Sequence, residues 1–260
     1  MATATERSSG FSSTEHLRIV VRLAALVLWL FFCIILYQTG RFLERNPWPR
    51  FFLRGLTWIA GIEVHAEKTQ THAGAFLLAN HVSWMDIPVI ASATGAAFVA
   101  HDGLAANPFM RWLCAMNDTV FIARHDRGSV TGQVSQIREA LRENGALAIF
   151  PEGTTGNGLE LLPFKSSLLS ALVPPPTGIC VRPILLDYGL EASSIAWVGN
   201  EPGIDNFLRI LARSEPVKVT LHFLPALTED TLRNRKVMAS HAYTAIDARL
   251  RAAQDQRVTL

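Results

Sequence analysis

The sequence predicts an α/β protein with a mostly parallel central sheet flanked by helices and an N-terminal membrane-associated helical element. From residue 61 onward, short apolar runs alternate with helical segments, which is the pattern of a covered, mostly parallel sheet. The chain is 49% hydrophobic, and much of this apolar surplus lies near the N-terminus. We therefore divide the chain into a flexible tail (1–16), the membrane-associated element (17–60) and an α/β domain (61–260).

The membrane-associated element begins with a long apolar run. Fifteen apolar residues follow one another from residue 23 to residue 37, close to the lower limit of about 17 residues for a bilayer span. No small-x-small cleavage site follows, which argues against a signal peptide, and a buried soluble helix is the other alternative. Positive charge stands on both sides of the run, so a span and a shallow hairpin in one leaflet both remain open.

The second part of this element, residues 41–59, places four arginines among aromatic and aliphatic side chains at helical spacing. This composition is typical of a helix that lies in the membrane interface. Pro47 and Pro49 interrupt the pattern, so two short helical pieces are predicted rather than one long helix.

The α/β domain contains apolar runs that we predict as strands: 75–79, 97–100, 120–123, 146–150, 181–186, 196–198 and 217–224. The clearest helix is 129–144, with Gly145 as its C-cap. The net charge of +2 is too small to indicate a nucleic-acid partner. No histidine or cysteine spacing indicates a metal site, so neither a metal nor another cofactor is expected.

Residues 80–86 read NHVSWMD and directly follow the run 75–79. Residues five apart lie about 140° apart on a regular helix, so His81 and Asp86 do not share a helix face. They can meet in a turn that leaves a parallel strand, where α/β folds place their sites. An imidazole held by a carboxylate has a fixed tautomer and can take a proton from a hydroxyl. The alternative is that Asn80, Ser83 or Asp86 only caps the next helix.

A second candidate segment, FPEGTT, follows the run 146–150. Glu152 stands in a tight connection, and Thr154, Thr155 and nearby glycines offer hydroxyl groups and backbone to an anionic head group or a hydroxyl-bearing substrate. The alternative is an ordinary turn with a solvated glutamate. The segment lacks the P-loop lysine and the Rossmann glycine pattern, which argues against nucleotide binding.

Three cations are further candidates for anion contact. Arg124 and Arg127 bracket the N-terminus of the predicted helix 129–144, and helix N-termini bind phosphate groups. Lys165, in LPFKSS, is the third candidate, with an ordinary exposed lysine as the alternative.

Taken in this order, the segments resemble the motifs of the glycerolipid acyltransferase family, which includes bacterial 1-acylglycerol-3-phosphate acyltransferase. The NHxSxxD motif is matched by Asn80, His81, Ser83 and Asp86. The FPEGT motif is matched by residues 150–154, and two shorter motifs are matched at residues 120–124 and 181–184. The resemblance covers residues 61–224 and extends to the membrane-associated N-terminal element.

The resemblance implies a membrane-bound acyltransferase that moves a fatty acyl chain from acyl-CoA or acyl carrier protein to the free hydroxyl of a lysolipid. His81 is expected to be the general base, and Asp86 to orient and charge it, without a covalent intermediate. Arg124, Glu152 and Gly153 are expected to position the polar head of the acceptor. The other predicted substrate contacts come from the same segments: Asn80, Ser83, Arg127, Thr154, Thr155 and Lys165.

Two departures from the family pattern concern the acceptor. Thr155 stands where the family usually has an arginine, and Asp118 replaces the glycine that opens the second motif. A cation is therefore missing where a lysophosphatidate phosphate would be held. The first expected acceptor is 1-acyl-sn-glycerol-3-phosphate, which would give phosphatidic acid. The alternative is lyso-ornithine lipid, an aminolipid without phosphate, since relatives with EGTT include acyltransferases that act on it.

The resemblance also implies a location in the bacterial inner (cytoplasmic) membrane. The catalytic domain is expected on the cytosolic side, where soluble thioester donors are found. A non-catalytic lipid-binding protein on the same fold is a further alternative, but it is disfavoured because both His81 and Asp86 are present.

Overall fold

The computed structural model describes residues 10–40, 42, 47–67, 74–101, 119–122, 130–173, 175 and 178–258. Within these residues, two N-terminal helices precede a seven-stranded sheet that has helices on both faces. The elements are, in chain order, α1 (Ser13–Gly40), α2 (Trp48–Ala60), β1 (Ile62–Ala66), β2 (Ala75–Ala79), α3 (Asp86–Thr94), β3 (Ala97–His101), β4 (Val120–Ile122), α4 (Val130–Asn144), β5 (Ala146–Ile149), a 3-10 helix (Ser166–Leu172), β6 (Cys180–Asp187), a 3-10 turn (Gly189–Glu191), α5 (Ala192–Ile195), α6 (Gly203–Ala212), β7 (Val217–Phe223), α7 (Glu229–Leu232) and α8 (Arg235–Val258).

The sheet has the strand order β1-β7-β6-β2-β5-β3-β4, and every neighbouring pair is parallel except β6 and β7. The predicted mostly parallel sheet is therefore confirmed. Because β7 is antiparallel to β6, it begins at the edge of the sheet where β6 ends. The loop from α6 into β7 thus lies at the same edge as the carboxyl ends of β2, β5 and β6.

The core lies on both faces of β2, whose five residues are all buried. Leu77 and Ala79 pack in one cluster with α3 and α6, and Phe76 and Leu78 pack in a second cluster with α4, the 3-10 helix and α8. Such double coverage is why β2 is a continuous apolar run rather than an alternating one. It also gives the segment after β2 a rigid base.

One sequence prediction about the sheet is wrong, and one strand was missed. Residues 196–198 are not a strand; they form an irregular segment after α5, in which the Trp197 N–H donates to the Val82 carbonyl at 2.9 Å. A short apolar run can be buried as a loop as well as a strand, and its periodicity does not distinguish the two. The strand β1 was not predicted, because only two of its five residues, Ile62 and Val64, point into apolar surroundings.

Helix α1 begins at Ser13, inside the tail that the sequence predicted to extend to residue 16, while residues 1–9 lie outside the described residues. Ser12 and Glu15 explain this start. The Ser12 hydroxyl accepts the Glu15 N–H at 3.3 Å, and the Glu15 carboxylate accepts the Ser12 N–H at 2.8 Å. This reciprocal pair is a capping box, which satisfies N–H groups that a helix start leaves without partners.

Helix α1 is long and apolar enough to cross a membrane, judged by length and composition alone, and few of its residues are buried. Its outward face carries a set of exposed apolar side chains: Leu17, Val20, Val21, Val27, Leu28, Phe31, Phe32 and Ile35. Phe51 and Trp58 extend this apolar surface onto α2. A contiguous exposed patch of this kind marks contact with a membrane or with another protein.

The opposite side of α1 is tied to the rest of the protein. Arg22 Nη1 donates to the carbonyls of Leu211 at 2.9 Å and Arg213 at 3.1 Å, and Arg18 donates to the carbonyl of Ala212. Cations at these positions bind the free carbonyls at the C-terminus of α6. Further along, Trp29 Nε1 donates to the Phe52 carbonyl of α2 at 3.0 Å. Helix α1 is therefore docked at the carboxyl edge of the sheet.

Candidate active site

The segment after β2 is a turn, and it brings His81 and Asp86 together. Asp86 is the first residue of α3, and its Oδ2 lies 2.7 Å from His81 Nδ1. The same oxygen accepts the backbone N–H groups of Val82 at 2.6 Å and Ser83 at 3.0 Å. These N–H groups belong to the turn before the helix, and the carboxylate satisfies them where no strand or helix partner is available. Asp86 is therefore both the cap of the turn and the partner of His81.

The second oxygen of Asp86 is also bonded. Oδ1 accepts the hydroxyl of Tyr188, which follows directly after β6. Asp86 is fully buried, and Tyr188 is nearly so. Burial, together with the neighbouring Asp86 carboxylate, raises the pKa of the Tyr188 hydroxyl well above its usual value. Four donors thus stabilise the negative charge of a carboxylate that has no contact with solvent.

The imidazole of His81 is held in one orientation. Its ring stacks on Phe150 with centroids 4.0 Å apart and an angle of 13° between the planes. Nδ1 is engaged with the carboxylate and so carries the proton, which leaves the lone pair on Nε2. Within the described part of the chain, no group bonds to Nε2, and 18% of the side chain is exposed. The ring can therefore accept a proton at Nε2 from a molecule that reaches this edge of the sheet.

Glu152 joins the FPEGTT segment to the His81 turn. Its Oε1 accepts the His81 backbone N–H at 2.8 Å, and its Oε2 accepts the Leu162 N–H at 2.9 Å. Gly156 completes the connection by donating its N–H to the His81 carbonyl at 2.7 Å. Burial raises the pKa of the Glu152 carboxyl to about 7, against the opposing effect of the two N–H donors. The Glu152 side chain therefore supports the backbone on which His81 stands.

Asn80 and Ser83 are also buried and bonded to protein groups. Asn80 exchanges two hydrogen bonds with the backbone of Leu186 on β6, at 3.1 and 2.8 Å. The Ser83 hydroxyl donates to Asn206 Oδ1 at 3.3 Å, and the Asn206 amide donates to the carbonyls of Ile195 and Ala196. The polar atoms of these side chains face the protein interior, so their described contacts are with neighbouring elements rather than with a substrate.

The remaining predicted site residues that the structure describes lie along the FPEGTT loop. Gly153 adopts a positive φ of 68°, which glycine tolerates without strain, and a β-carbon there would lie 3.1 Å from Lys165 Nζ. Thr154 and Lys165 are exposed, while the Thr155 hydroxyl donates to the Trp197 carbonyl. Lys165 therefore brings a positive charge to the FPEG turn, and Thr155 is used by the loop itself.

Arg124 and Arg127 lie outside the described residues, as does Asp118. Of the second motif, the structure describes the part that forms β4, at the edge of the sheet beside β3. Among the described residues, no group of three or more His, Cys, Asp or Glu side chains could hold a metal ion.

Three residues of this site were not found from the sequence: Tyr188, Phe150 as the surface under His81, and Asn206. Tyr188 and Asn206 are 102 and 123 positions away from their partners Asp86 and Ser83. One signal was present for Tyr188, since it is the second residue after a predicted strand, as His81 is. In a parallel sheet, residues that follow different strands meet at one edge.

Comparison with known proteins identifies the family of the chain. The acyltransferase family model matches residues 61–186. A lyso-ornithine lipid O-acyltransferase of Rhodobacter capsulatus is 27% identical, over 92% of this chain and 91% of that protein. Another, of Rhizobium meliloti, is 31% identical over 75% of this chain and 72% of that protein. A 1-acyl-sn-glycerol-3-phosphate acyltransferase of Neisseria gonorrhoeae is 31% identical over 49% of each chain.

A solved structure also matches the fold. The crystal structure of the 1-acyl-sn-glycerophosphate acyltransferase PlsC from Thermotoga maritima has a TM-score of 0.61 and covers 90% of this chain and 97% of that one. At 18% sequence identity, this match concerns the fold: a mixed α/β sheet flanked by helices and preceded by an N-terminal apolar helix.

Proposed function

The chain belongs to the acyltransferase family and is an acyltransferase of lysolipids, and on this premise we propose that it transfers a fatty acyl chain to the free hydroxyl of lyso-ornithine lipid. The observation that carries the catalytic part of the proposal is the contact of 2.7 Å between His81 Nδ1 and the buried Asp86. It leaves Nε2 of His81 as the base at the carboxyl edge of the sheet. The donor is an acyl thioester, either acyl-CoA or acyl carrier protein.

The proposed reaction needs one proton relay and no covalent enzyme intermediate. His81 Nε2 takes the proton of the acceptor hydroxyl while the hydroxyl oxygen attacks the thioester carbonyl. The C–O bond forms, the C–S bond breaks, and the proton passes from His81 to the leaving thiolate. Asp86 stabilises the imidazolium that exists between these two transfers, as a carboxylate does in other histidine-dependent acyl transfers.

The other predicted site residues take two kinds of role in this proposal. Asn80, Ser83 and Glu152 hold the backbone of the His81 turn, since their side chains are bonded to the protein. The FPEGTT loop faces the acceptor through Gly153, Thr154 and the charge of Lys165. Thr155 contributes through its bond to the Trp197 carbonyl. Arg124 and Arg127 remain predicted contacts of the polar head.

The choice of acceptor reverses the order that the sequence suggested. Two kinds of finding support lyso-ornithine lipid over 1-acyl-sn-glycerol-3-phosphate. Relatives named for the former match over 75% to 92% of this chain, whereas those named for the latter match over 49%. At the position where the family usually has an arginine, Thr155 offers no charge and gives its hydroxyl to the protein. An acceptor without phosphate needs one cation fewer.

The acceptor is tested with purified full-length protein in detergent micelles. Each lysolipid is offered at equal mole fraction, with labelled acyl-CoA and with labelled acyl carrier protein. We expect a higher kcat/KM for lyso-ornithine lipid than for 1-acyl-sn-glycerol-3-phosphate with whichever donor is used. A preference for the phosphate-bearing lipid would overturn the choice of acceptor, and no transfer to either would overturn the proposal as a whole.

We further propose that α1 and α2 associate with one leaflet of the bacterial inner membrane, with the site on the cytosolic side. The bonds from Arg18 and Arg22 to α6 and the packing of α1 on α2 support a helix pair that lies against the domain. The exposed apolar face then enters the lipid, and the site stands at the membrane surface where a lysolipid is found.

Charged substitutions on the exposed face of α1 test this arrangement. The triple variant Leu28→Asp, Phe31→Asp, Ile35→Asp should float with liposomes much less than the wild type. Val237→Asp, at an exposed position on α8, is the control and should float normally. Wild-type flotation of the triple variant would contradict the membrane assignment.

A further inference from the structure

Tyr188 connects the end of β6 to the acid–base pair. It is the residue after Asp187, the last of β6, and its hydroxyl donates to Asp86 Oδ1. The side chain is almost completely buried, so this hydroxyl has exchanged water for a single carboxylate. A buried hydroxyl of this kind keeps its partner, because leaving the partner unpaired costs more than the bond itself contributes.

The two oxygens of Asp86 have different partners. Oδ2 accepts hydrogen bonds from His81 Nδ1 and from the N–H groups of Val82 and Ser83. Among the described residues, Oδ1 accepts a hydrogen bond from the Tyr188 hydroxyl alone. Rotation of the carboxyl group would break the hydrogen bonds of both oxygens at once. Tyr188 therefore fixes the rotation of the carboxylate so that Oδ2 faces the imidazole.

Tyr188 also affects how strongly the Asp86 carboxylate stabilises the protonated form of His81. A donor to a carboxylate withdraws part of its negative charge. With this donor, the imidazolium is stabilised less strongly and releases its proton more readily to the leaving thiolate. Without the Tyr188 hydroxyl, more of the negative charge of Asp86 would act on the imidazolium. The hydroxyl stays protonated throughout, since burial and the Asp86 charge raise the pKa of Tyr188 well above its usual value.

The backbone on both sides of Tyr188 is held in place. Asp187 Oδ1 accepts the Gly189 N–H at 3.0 Å, and Asp187 Oδ2 accepts Arg257 from α8. Although burial raises the pKa of Asp187, the nearby His222 ring and the hydrogen bonds from the Gly189 N–H and Arg257 lower that pKa to about 2. The Asp187 carboxylate is therefore charged at neutral pH, and the ion pair fixes the residue that precedes Tyr188.

We propose that Tyr188 is a positioning residue of the reaction: its hydroxyl orients the Asp86 carboxylate and limits the charge that this carboxylate presents to His81. This inference rests on the proposed function, in which His81 and Asp86 form the acid–base pair. Among the described residues, the ionisable groups bonded to His81 are Asp86 on α3 and Glu152 after β5; Tyr188 after β6 is bonded to Asp86, and Lys165 lies beside Gly153.

The test compares Tyr188→Phe with Tyr243→Phe in the full-length protein. Tyr243 is a partly buried tyrosine of α8 that packs edge-on against Phe164, outside the site. For Tyr188→Phe we expect kcat to fall about 10- to 100-fold, the range for losing a hydrogen bond to a charged group, with KM within about threefold. The acidic limb of the kcat/KM profile should move to higher pH. Tyr243→Phe should change neither quantity.

A second substitution covers the case in which Tyr188→Phe does not fold. Fluorotyrosine at position 188 keeps the size of the ring and makes the hydroxyl a stronger donor, so the acidic limb should move to lower pH. A wild-type kcat in Tyr188→Phe, or a loss of activity with an unmoved acidic limb, would overturn the inference. So would an unmoved limb in the fluorotyrosine protein.

The outcome also separates this inference from the proposed function. If His81→Ala abolishes transfer and Tyr188→Phe behaves as wild type, only the proposed role of Tyr188 is contradicted. If His81→Ala transfers acyl chains at the wild-type rate, the acid–base pair itself is wrong, and the role of Tyr188 falls with it.

Discussion

Two histidines in this protein contact a carboxylate at the same distance of 2.7 Å, His81 with Asp86 and His222 with Glu67. In the first pair, the carboxylate is fully buried and 18% of the histidine side chain is exposed. In the second pair the exposure is reversed, with 8% for the histidine and 49% for Glu67. The contact distance alone therefore does not distinguish the two pairs.

The two histidines differ in what surrounds the second ring nitrogen. His222 Nε2 lies 3.8 Å from Asp187 and 3.4 Å from Arg249, so both of its nitrogens face charged groups of the protein. His81 Nε2 has no such partner among the described residues. A histidine that is surrounded by protein on both sides links elements, here β7 with the end of β6 and with α8. A histidine with one free nitrogen at a sheet edge can exchange a proton with a substrate.

The largest expected effect is on the rate of acyl transfer, which should respond differently to substitution of the two carboxylates. In Asp86→Asn, the negative charge that stabilises the imidazolium is lost, and an NH2 group replaces one of the two oxygens that accept four donors. We therefore expect kcat/KM to fall about 10²- to 10⁴-fold. In Glu67→Gln, the amide oxygen still accepts from His222 Nδ1, and the rate of transfer should stay close to the wild-type rate. Steady-state kinetics of both variants provide the measurement. Equal losses in the two variants would mean that the pairs do not differ in function.

A smaller effect concerns the pH dependence of stability through Glu152. Its pKa is raised to about 7 by burial, from 4.5, so the folded protein holds this proton more tightly than the unfolded chain does. The contribution of Glu152 to stability is therefore lost as pH rises from about 4.5 to about 7, by an amount on the order of 3 kcal/mol. Glu152→Gln cannot ionise and should not show this loss.

Thermal unfolding of the wild type and Glu152→Gln at several pH values between 4.5 and 8 tests this expectation. The Tm of the wild type should fall relative to that of the variant as the pH rises. Other ionisable groups are common to both proteins and cancel in the difference. A difference in Tm that does not vary with pH would show that the carboxylate is not desolvated as the structure indicates.

The comparison also shows how much of the site the sequence could predict. The turn at His81 and Asp86 followed from local spacing, because five residues do not fit one face of a helix but do fit a strand-to-helix turn. The predicted helix 129–144 and its cap at Gly145 agree with α4, where the Gly145 N–H bonds to the Leu141 carbonyl at 2.9 Å. These features depend on contacts between near neighbours in the chain.

The features that were not predicted depend on distant residues. The bonds of Asn80 to Leu186 and of Tyr188 to Asp86 join segments that are more than 100 positions apart. The antiparallel placement of β7 likewise depends on which strand it pairs with, and a single sequence does not encode that pairing as a local pattern. For the same reason, the protein contacts of Glu152 were not predicted: its two oxygens accept the backbone N–H groups of His81 and Leu162.

The central claim is that His81, and not His222, is the base. The most direct measurement is the single-turnover rate of acyl transfer to lyso-ornithine lipid by His81→Gln and His222→Gln, two matched substitutions that remove an imidazole. We predict that His81→Gln loses about 10²- to 10⁴-fold in rate and that folded His222→Gln retains a rate close to that of the wild type. A wild-type rate for His81→Gln would contradict the account.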